Sequence, residues 1–134
     1  MGFKDISQIA GSAMAAQTVR MNTIASNLAN ANAVAGNEAD AYRARKPVFA
    51  AMVGDGGTAS VQVLDVVESS APLRRMHEPD NPLADADGMV FYANVNEVAE
   101  MADMMAASRA FETNVEVMGR IKSMQQSLIR MGES

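Results

Sequence analysis

Residues 25–32 read ASNLANAN. Three asparagines, Asn27, Asn30 and Asn32, crowd the end of what otherwise reads as a long helix, with Asn22 just upstream. Asparagine is a poor helix former and a good helix terminator, so the first helix should stop here, with Asn32 as its terminator. Before that point Phe3, Ile6, Ala10, Ala13, Gln17, Met21, Ile24, Leu28 and Ala31 recur in steps of three and four. That spacing predicts one helix from residue 3 to about 31. Its apolar stripe is narrow and built of small side chains, with Gln17 as a polar residue on the seam. The two successive steps of four at 13–17–21 form a stutter in a heptad-like pattern. Such a helix is roughly 42 Å long, too long for a globule of 134 residues to cover fully.

Residues 32–46 are polar and carry the turn residues Asn32, Gly36 and Asn37, so they read as a loop. Residues 47–53 and 58–68 read as strands, and GDGG at 54–57 between them is a hairpin turn signal. Val61, Val63, Asp65 and Val67 alternate with Gln62, Leu64 and Val66, which puts apolar side chains on both faces. Leu73 to His77 reads as a third short strand. The stretch from 78 to 88, with Pro79 and Pro82, is extended or turning. MVFYANV, from Met89, is either another short strand or an extended lead-in. A second long helix is expected from about Asn96 to Met131, with Asn94 or Asn96 as N-cap and Glu97 and Glu100 in its first turns. Its stripe is read as Val98, Met101, Met105, Phe111, Val115, Met118, Ile121, Met124, Leu128 and Met131, with Gly132 as the stop. The fold class expected is mainly α with a small β insert, the long terminal helices pairing as a coiled coil. The division is 1–32 for the N-terminal helix, 33–94 for the loop and β-rich middle, and 95–134 for the C-terminal helix.

Of the 134 residues, 24 are alanine, while Leu, Ile, Val and Phe together number 27. That is about one fifth of the chain, the edge below which chains fail to fold alone, so partner surface is expected to complete the core. The net charge of −5 argues against a nucleic-acid or anionic-membrane binder, which needs a basic face. Without cysteine there are no disulfides, no thiolate metal site and no cysteine nucleophile. The N-terminus, with Lys4 followed at once by Asp5, has no continuous apolar core and does not read as a cleavable signal peptide. No stretch approaches the ~18 apolar residues of a membrane span.

Nothing in the chain reads as catalytic, cofactor-binding or metal-binding. His77 is the one histidine and has no nucleophile signature beside it. DADG at 85–88 resembles part of a calcium loop, but Leu83 and Asn94 would fall where the first and twelfth ligands belong, so Asp80, Asp85 and Asp87 read as turn and solvent residues. GDGG lacks the lysine and the following helix of a phosphate loop. Glu112 and Glu116 read as surface ion-pair partners of Arg109 and Arg120. YRARK at 42–46 reads as a small basic patch suited to an acidic protein partner. The 12 methionines fall mainly on the helical stripes, where Met adapts to irregular contacts.

GSAMAAQTVRMNTIASNLANAN at 11–32 resembles the N-terminal signature of bacterial flagellar axial proteins, the rod, hook and hook-associated proteins. YRARKPVFA at 42–50, DADGMVFYANVNEVAEM at 85–101 and ASRAFETNVEVMGRIKSM at 107–124 are similar to the proximal rod branch of that family. The resemblance covers nearly the whole chain and is weakest over 51–76. Two departures stand out: Ala93 where the family usually has proline, and Phe111 where it usually has tyrosine.

The resemblance implies a structural subunit of the basal-body rod that assembles helically and transmits torque from the membrane ring to the hook. The partners implied are copies of the chain, other rod proteins, a membrane-ring or export-gate adaptor, and the flagellar type III export apparatus. It implies export without a cleavable signal, a periplasm-spanning location, no nucleic acid, no membrane insertion and no cofactor. The assembly residues it points to are Arg20, Met21, Asn22, Asn27, Leu28, Asn30 and Asn32 in the first helix, and Asn94, Asn96, Met101, Ser108, Arg109, Phe111, Asn114 and Met118 toward the second. Asn27 and Asn30, three apart on one helix edge, are expected to bond across to other helices and fix register, with partners to be sought between subunits as well as within the chain. The readings kept beside this one are another rod subunit of the same family and a helical export chaperone or adaptor.

Overall fold

The computed structural model describes residues 2–133; Met1 and Ser134, the outer ends of the first and third expected segments, lie outside the described residues. Helix α1 spans Phe3–Ala29. Its first turn is tied by Asp5, whose carboxylate accepts from the Gly2 N–H at 3.0 Å, an acid placed where the helix dipole favours one. Asn30, not Asn32, ends it. At φ −106° and ψ 8° the backbone of Asn30 leaves the helix, and its side-chain amide donates to the Ser26 carbonyl at 2.8 Å, satisfying a carbonyl of the last turn.

Helix α2 spans Glu97–Glu133. Asn96 is its cap, accepting from the Ala99 N–H at 3.1 Å, while Asn94 is engaged elsewhere. The helix runs through Gly132 instead of stopping there; nothing lies within 4 Å of the space a Cβ at Gly132 would occupy. The chain is therefore two long helices around a small antiparallel β middle.

α1 and α2 pack along one another. Arg20 pairs with Asp103 at 3.7 Å. The C-terminal end of α1 and the lead-in to α2 meet at the same segment, residues 44–45, so the helices run antiparallel. The face of α2 turned inward keeps only Phe111, Met118 and Ile121 of the stripe read from the sequence. Glu100, Ala107 and Ile121 are buried, with Met104, Ser108, Phe111, Asn114 and Met118 half-buried beside them. Val98, Met101, Met105, Val115, Met124, Leu128 and Met131 are exposed. The buried positions mix small and large side chains, Ala107 with Glu100 and Ile121. Beyond Ile121 every described residue of α2 is exposed, because α1, at 27 residues against 37, no longer covers it.

The middle holds two sheets. Strands β1 (Val34–Ala35), β4 (Arg74–His77) and β5 (Met89–Tyr92) form an antiparallel sheet in the order β1-β5-β4. β1 lies inside the segment read as loop, held by its pairing to Phe91 and Tyr92. Val90, Phe91 and Ala93 are buried here. Strands β2 (Arg45–Val53) and β3 (Ala59–Glu68) form the hairpin. Its turn closes with the Gly54 N–H donating to the Thr58 carbonyl at 2.8 Å, and with Gly56 and Gly57 at φ +84° and +82°, where other residues are strained. Between the pairs Val48–Asp65 and Phe49–Val63, Leu64 is an extra residue, a bulge. The bulge switches which side chains face α1, from Val61 and Val63 to Val66, which lies with Val19, Asn22 and Thr23.

The hairpin lies along α1 with its tip at the helix start and its root at the helix end. Thr58 reaches Asp5 at 3.4 Å, the Val61 N–H donates to Ser12 Oγ at 3.0 Å, and Arg45 meets Asn27. Among the described residues six of the ten buried apolar ones are alanine, so apolar burial alone contributes modestly and polar fastenings matter more than in a larger core.

Candidate functional site

The densest polar cluster sits where both helices meet the hairpin root. Asn27, 1% exposed, projects from the last turns of α1. Its amide nitrogen donates to the Arg45 carbonyl at 2.8 Å, and its oxygen accepts from the Arg45 N–H at 2.9 Å and the Tyr42 hydroxyl at 2.8 Å. Tyr42 also lies 3.0 Å from Ser26 Oγ, and its ring carries the Arg45 guanidinium at 5.6 Å. On the other side Asn94 accepts from the Ala44 N–H at 2.7 Å and donates to the Ala71 carbonyl at 2.8 Å. Arg43 donates to the Ser69 and Ala71 carbonyls at 3.3 and 3.1 Å.

The Asn27 amide finds partners inside the chain, on Arg45 and Tyr42. Within YRARK, Tyr42 and Arg43 turn inward to hold the loop and Ala44 is buried, while Arg45 and Lys46 are exposed.

The other expected site residues are dispersed. Asn30 bonds back within α1, as Asn114 does to the Ala110 carbonyl at 2.8 Å within α2. Asn22, Asn32 and Arg109 are exposed, and Met101 is 54% exposed. Met21, Leu28, Ser108, Phe111 and Met118 are half-buried. Arg20 is the α1 member of the ion pair with Asp103. Glu116 and Arg120 pair at 2.7 Å as expected, but no ion pair joins Arg109 and Glu112 among those of the described residues.

A second small network lies at the outer sheet. The Tyr92 hydroxyl donates to Glu78 Oε1 at 2.7 Å and the Asn81 amide to Oε2 at 3.0 Å. The Tyr92 hydrogen bond, and then that of Asn81, holds the Glu78 carboxyl below its usual range. The same bond, with burial and the Glu78 charge, raises the Tyr92 phenol. Arg74 stacks on the Tyr92 ring at 4.8 Å. DADG is a turn: Asp85 accepts from the Asp87 and Met89 N–H groups, each at 2.9 Å, and Gly88 sits at φ +76°. Among the described residues no group of three or more His, Cys, Asp or Glu side chains could hold a metal ion, and no helix is long and apolar enough to cross a membrane.

What the molecule does present is apolar surface. Val98, Met101, Met105 and Val115 are exposed along α2, Met124, Leu128 and Ile129 on its uncovered end, and Val53 and Leu64 on the hairpin. The joint formed by Tyr42, Ala44 and Arg45 escaped sequence reading. Its one local signal is a tyrosine set just before a strand. The Gln17 side-chain oxygen is buried without a partner, and its place on the seam was visible in the sequence.

Two family descriptions match the chain: "Flagella basal body rod protein" over residues 8–36 and "Flagellar basal body rod FlgEFG protein C-terminal" over residues 86–131. The chain is 46% identical over 134 residues to the flagellar basal-body rod protein FlgC of Escherichia coli O157:H7, spanning 99% of this chain and 100% of that one. The FlgC protein of Salmonella typhimurium matches at the same identity and coverage. That of Agrobacterium fabrum is 33% identical over 125 residues, covering 92% of this chain and 90% of that one.

Proposed function

The chain belongs to the flagellar basal-body rod protein family, of the FlgC type, and on that premise we propose that it is a proximal rod subunit that assembles helically and passes torque from the membrane ring to the hook. Its role is structural, without catalysis. In this reading α1 and α2, as a coiled coil, form the inner layer of the rod, and residues 33–94 make lateral and axial contacts. The chain leaves the cytoplasm through the flagellar type III export apparatus without a cleavable signal. It meets copies of itself, other rod proteins and an adaptor at the membrane ring, within the periplasm. The dispersed residues on the open faces, Asn22, Asn32, Met101 and Arg109, are the contacts most accessible to neighbours.

The observation that carries the reading is the exposed apolar row Val98, Met101 and Met105 on α2, at 78, 54 and 62% exposure. Large apolar side chains in a contiguous row mark an interaction surface, and in a chain with so small a core they are available for burial against neighbours. The test replaces Met101 and Met105 with glutamate. The purified chain should melt as the parent does, while cells carrying only this variant build no rod beyond this subunit. Normal swimming by those cells would sink the reading.

A further inference from the structure

Successive residues of a strand direct their N–H and C=O groups to opposite edges, and at the hairpin root both edges are held by asparagine. The Ala44 carbonyl accepts from the Ser69 N–H and its N–H donates to Asn94, each at 2.7 Å, on the β3 side. Arg45 turns the other way, and both its N–H and its C=O are taken by the Asn27 amide, at 2.9 and 2.8 Å. Asn27 therefore stands where a third strand would stand, and Asn94 fills the gap at the opposite edge. Asn27 belongs to α1, and Asn94 lies just before α2. Each position needs a donor and an acceptor in one planar group, which an amide supplies and a carboxylate does not. Beyond this root the hydrogen bonds between hairpin and helix are single ones, Val61 to Ser12 and Thr58 to Asp5.

We propose that Asn27 and Asn94 are positioning residues that lock the hairpin to the helix pair, so that helices and hairpin turn as one rigid body. This deepens, and rests on, the rod reading: the two side-chain amides are the paired fastenings by which load in the helical layer is passed to the hairpin root. Asn27→Asp and Asn94→Asp are isosteric and set a carboxylate oxygen against a carbonyl.

The test has two arms on the full chain. In the purified protein, hydrogen exchange at the Val61 N–H, far from either substitution in sequence, should be about tenfold faster in each variant, the effect of about 1.4 kcal/mol of lost protection. Exchange within α2 should stay at the parent rate. Unchanged exchange at Val61 overturns the joint. In cells the doubly substituted chain should fail to support swimming. The chain has no cysteine, so Asp5→Cys with Thr58→Cys adds one disulfide that pins the hairpin tip to α1. That bond should restore swimming to the joint variant but not to Ile121→Ala, which loosens helix packing elsewhere. Rescue of both would mean a general gain in stability and would overturn the positioning role, as would no rescue once the disulfide is shown to form. Cells lacking the chain that still swim would sink the rod reading, and exchange at Val61 would then decide the joint by itself.

Discussion

Replacing Asn27 with alanine leaves the Arg45 N–H and C=O without their partner, while the Tyr42 hydroxyl keeps Ser26. A partly buried orphan costs ~1 kcal/mol at the low end of the usual range, so the two together cost about 2 kcal/mol. The emptied space beneath a side chain that is 1% exposed adds about 1 kcal/mol more. For a chain of 134 residues this lowers the melting temperature by about 10 °C. Asn30, three residues on, is the internal control. Its amide reaches only the Ser26 carbonyl, which the Asn30 backbone N–H also serves at 3.1 Å. Asn30→Ala should therefore shift stability by under about 0.5 kcal/mol, or about 2 °C. Thermal melts followed by far-ultraviolet circular dichroism measure both. Equal shifts would refute the reasoning, because they would mean that Asn27 acts through helix propensity and not through Arg45.

Gly36→Ala should cost about 1–3 kcal/mol in denaturant titration, since its Cβ would lie 2.7 Å from the Leu83 carbonyl oxygen. Gly119→Ala, with nothing within 4 Å, should gain about 0.5–1 kcal/mol in the same assay; a reversed order would contradict the close approach of residue 36 to residue 83. The Glu78–Tyr92 pair gives a pH signature. Glu78 has a lowered value in the fold, so its contribution is present above the unfolded carboxylate range, about 4.3, and is lost as pH falls through the folded value. Tyr92 has a raised value, so its contribution is present below the unfolded phenol range, about 10, and is lost as pH rises through the folded value. Melting temperature against pH for the parent and Glu78→Gln should differ in slope on the acid side; parallel curves there would count against the bond. Asn27→Leu should leave the purified subunit soluble yet stop rod growth in cells, and normal motility would refute it.

The elements legible in the sequence are those with chemical punctuation. Asn96 before two acids marks the start of α2, and GDGG marks the hairpin because glycine alone sits easily at φ near +84°. The buried face of α2 keeps Phe111, Met118 and Ile121 of the sequence stripe and leaves Met101 and Met105 outside. Methionine and valine surround much of that helix, so side-chain bulk alone does not choose a face. β1 has two residues and exists only through its pairing with β5, which nothing local announces. The bulge at Leu64 reverses the inward alternation of β3. Asn27 stands out in the sequence as an anomaly, but its partner is backbone at residue 45, and backbone carries no residue type to be read.

The most direct measurement is a cryo-electron microscopy map of basal bodies built with this chain, at a resolution that traces side chains. Val98, Met101 and Met105 should lie buried against a neighbouring subunit, with the hairpin held to α1 through Asn27 as in the isolated chain. A map in which that row faces solvent, or in which the chain is absent from the rod, would contradict the assignment of this face to assembly.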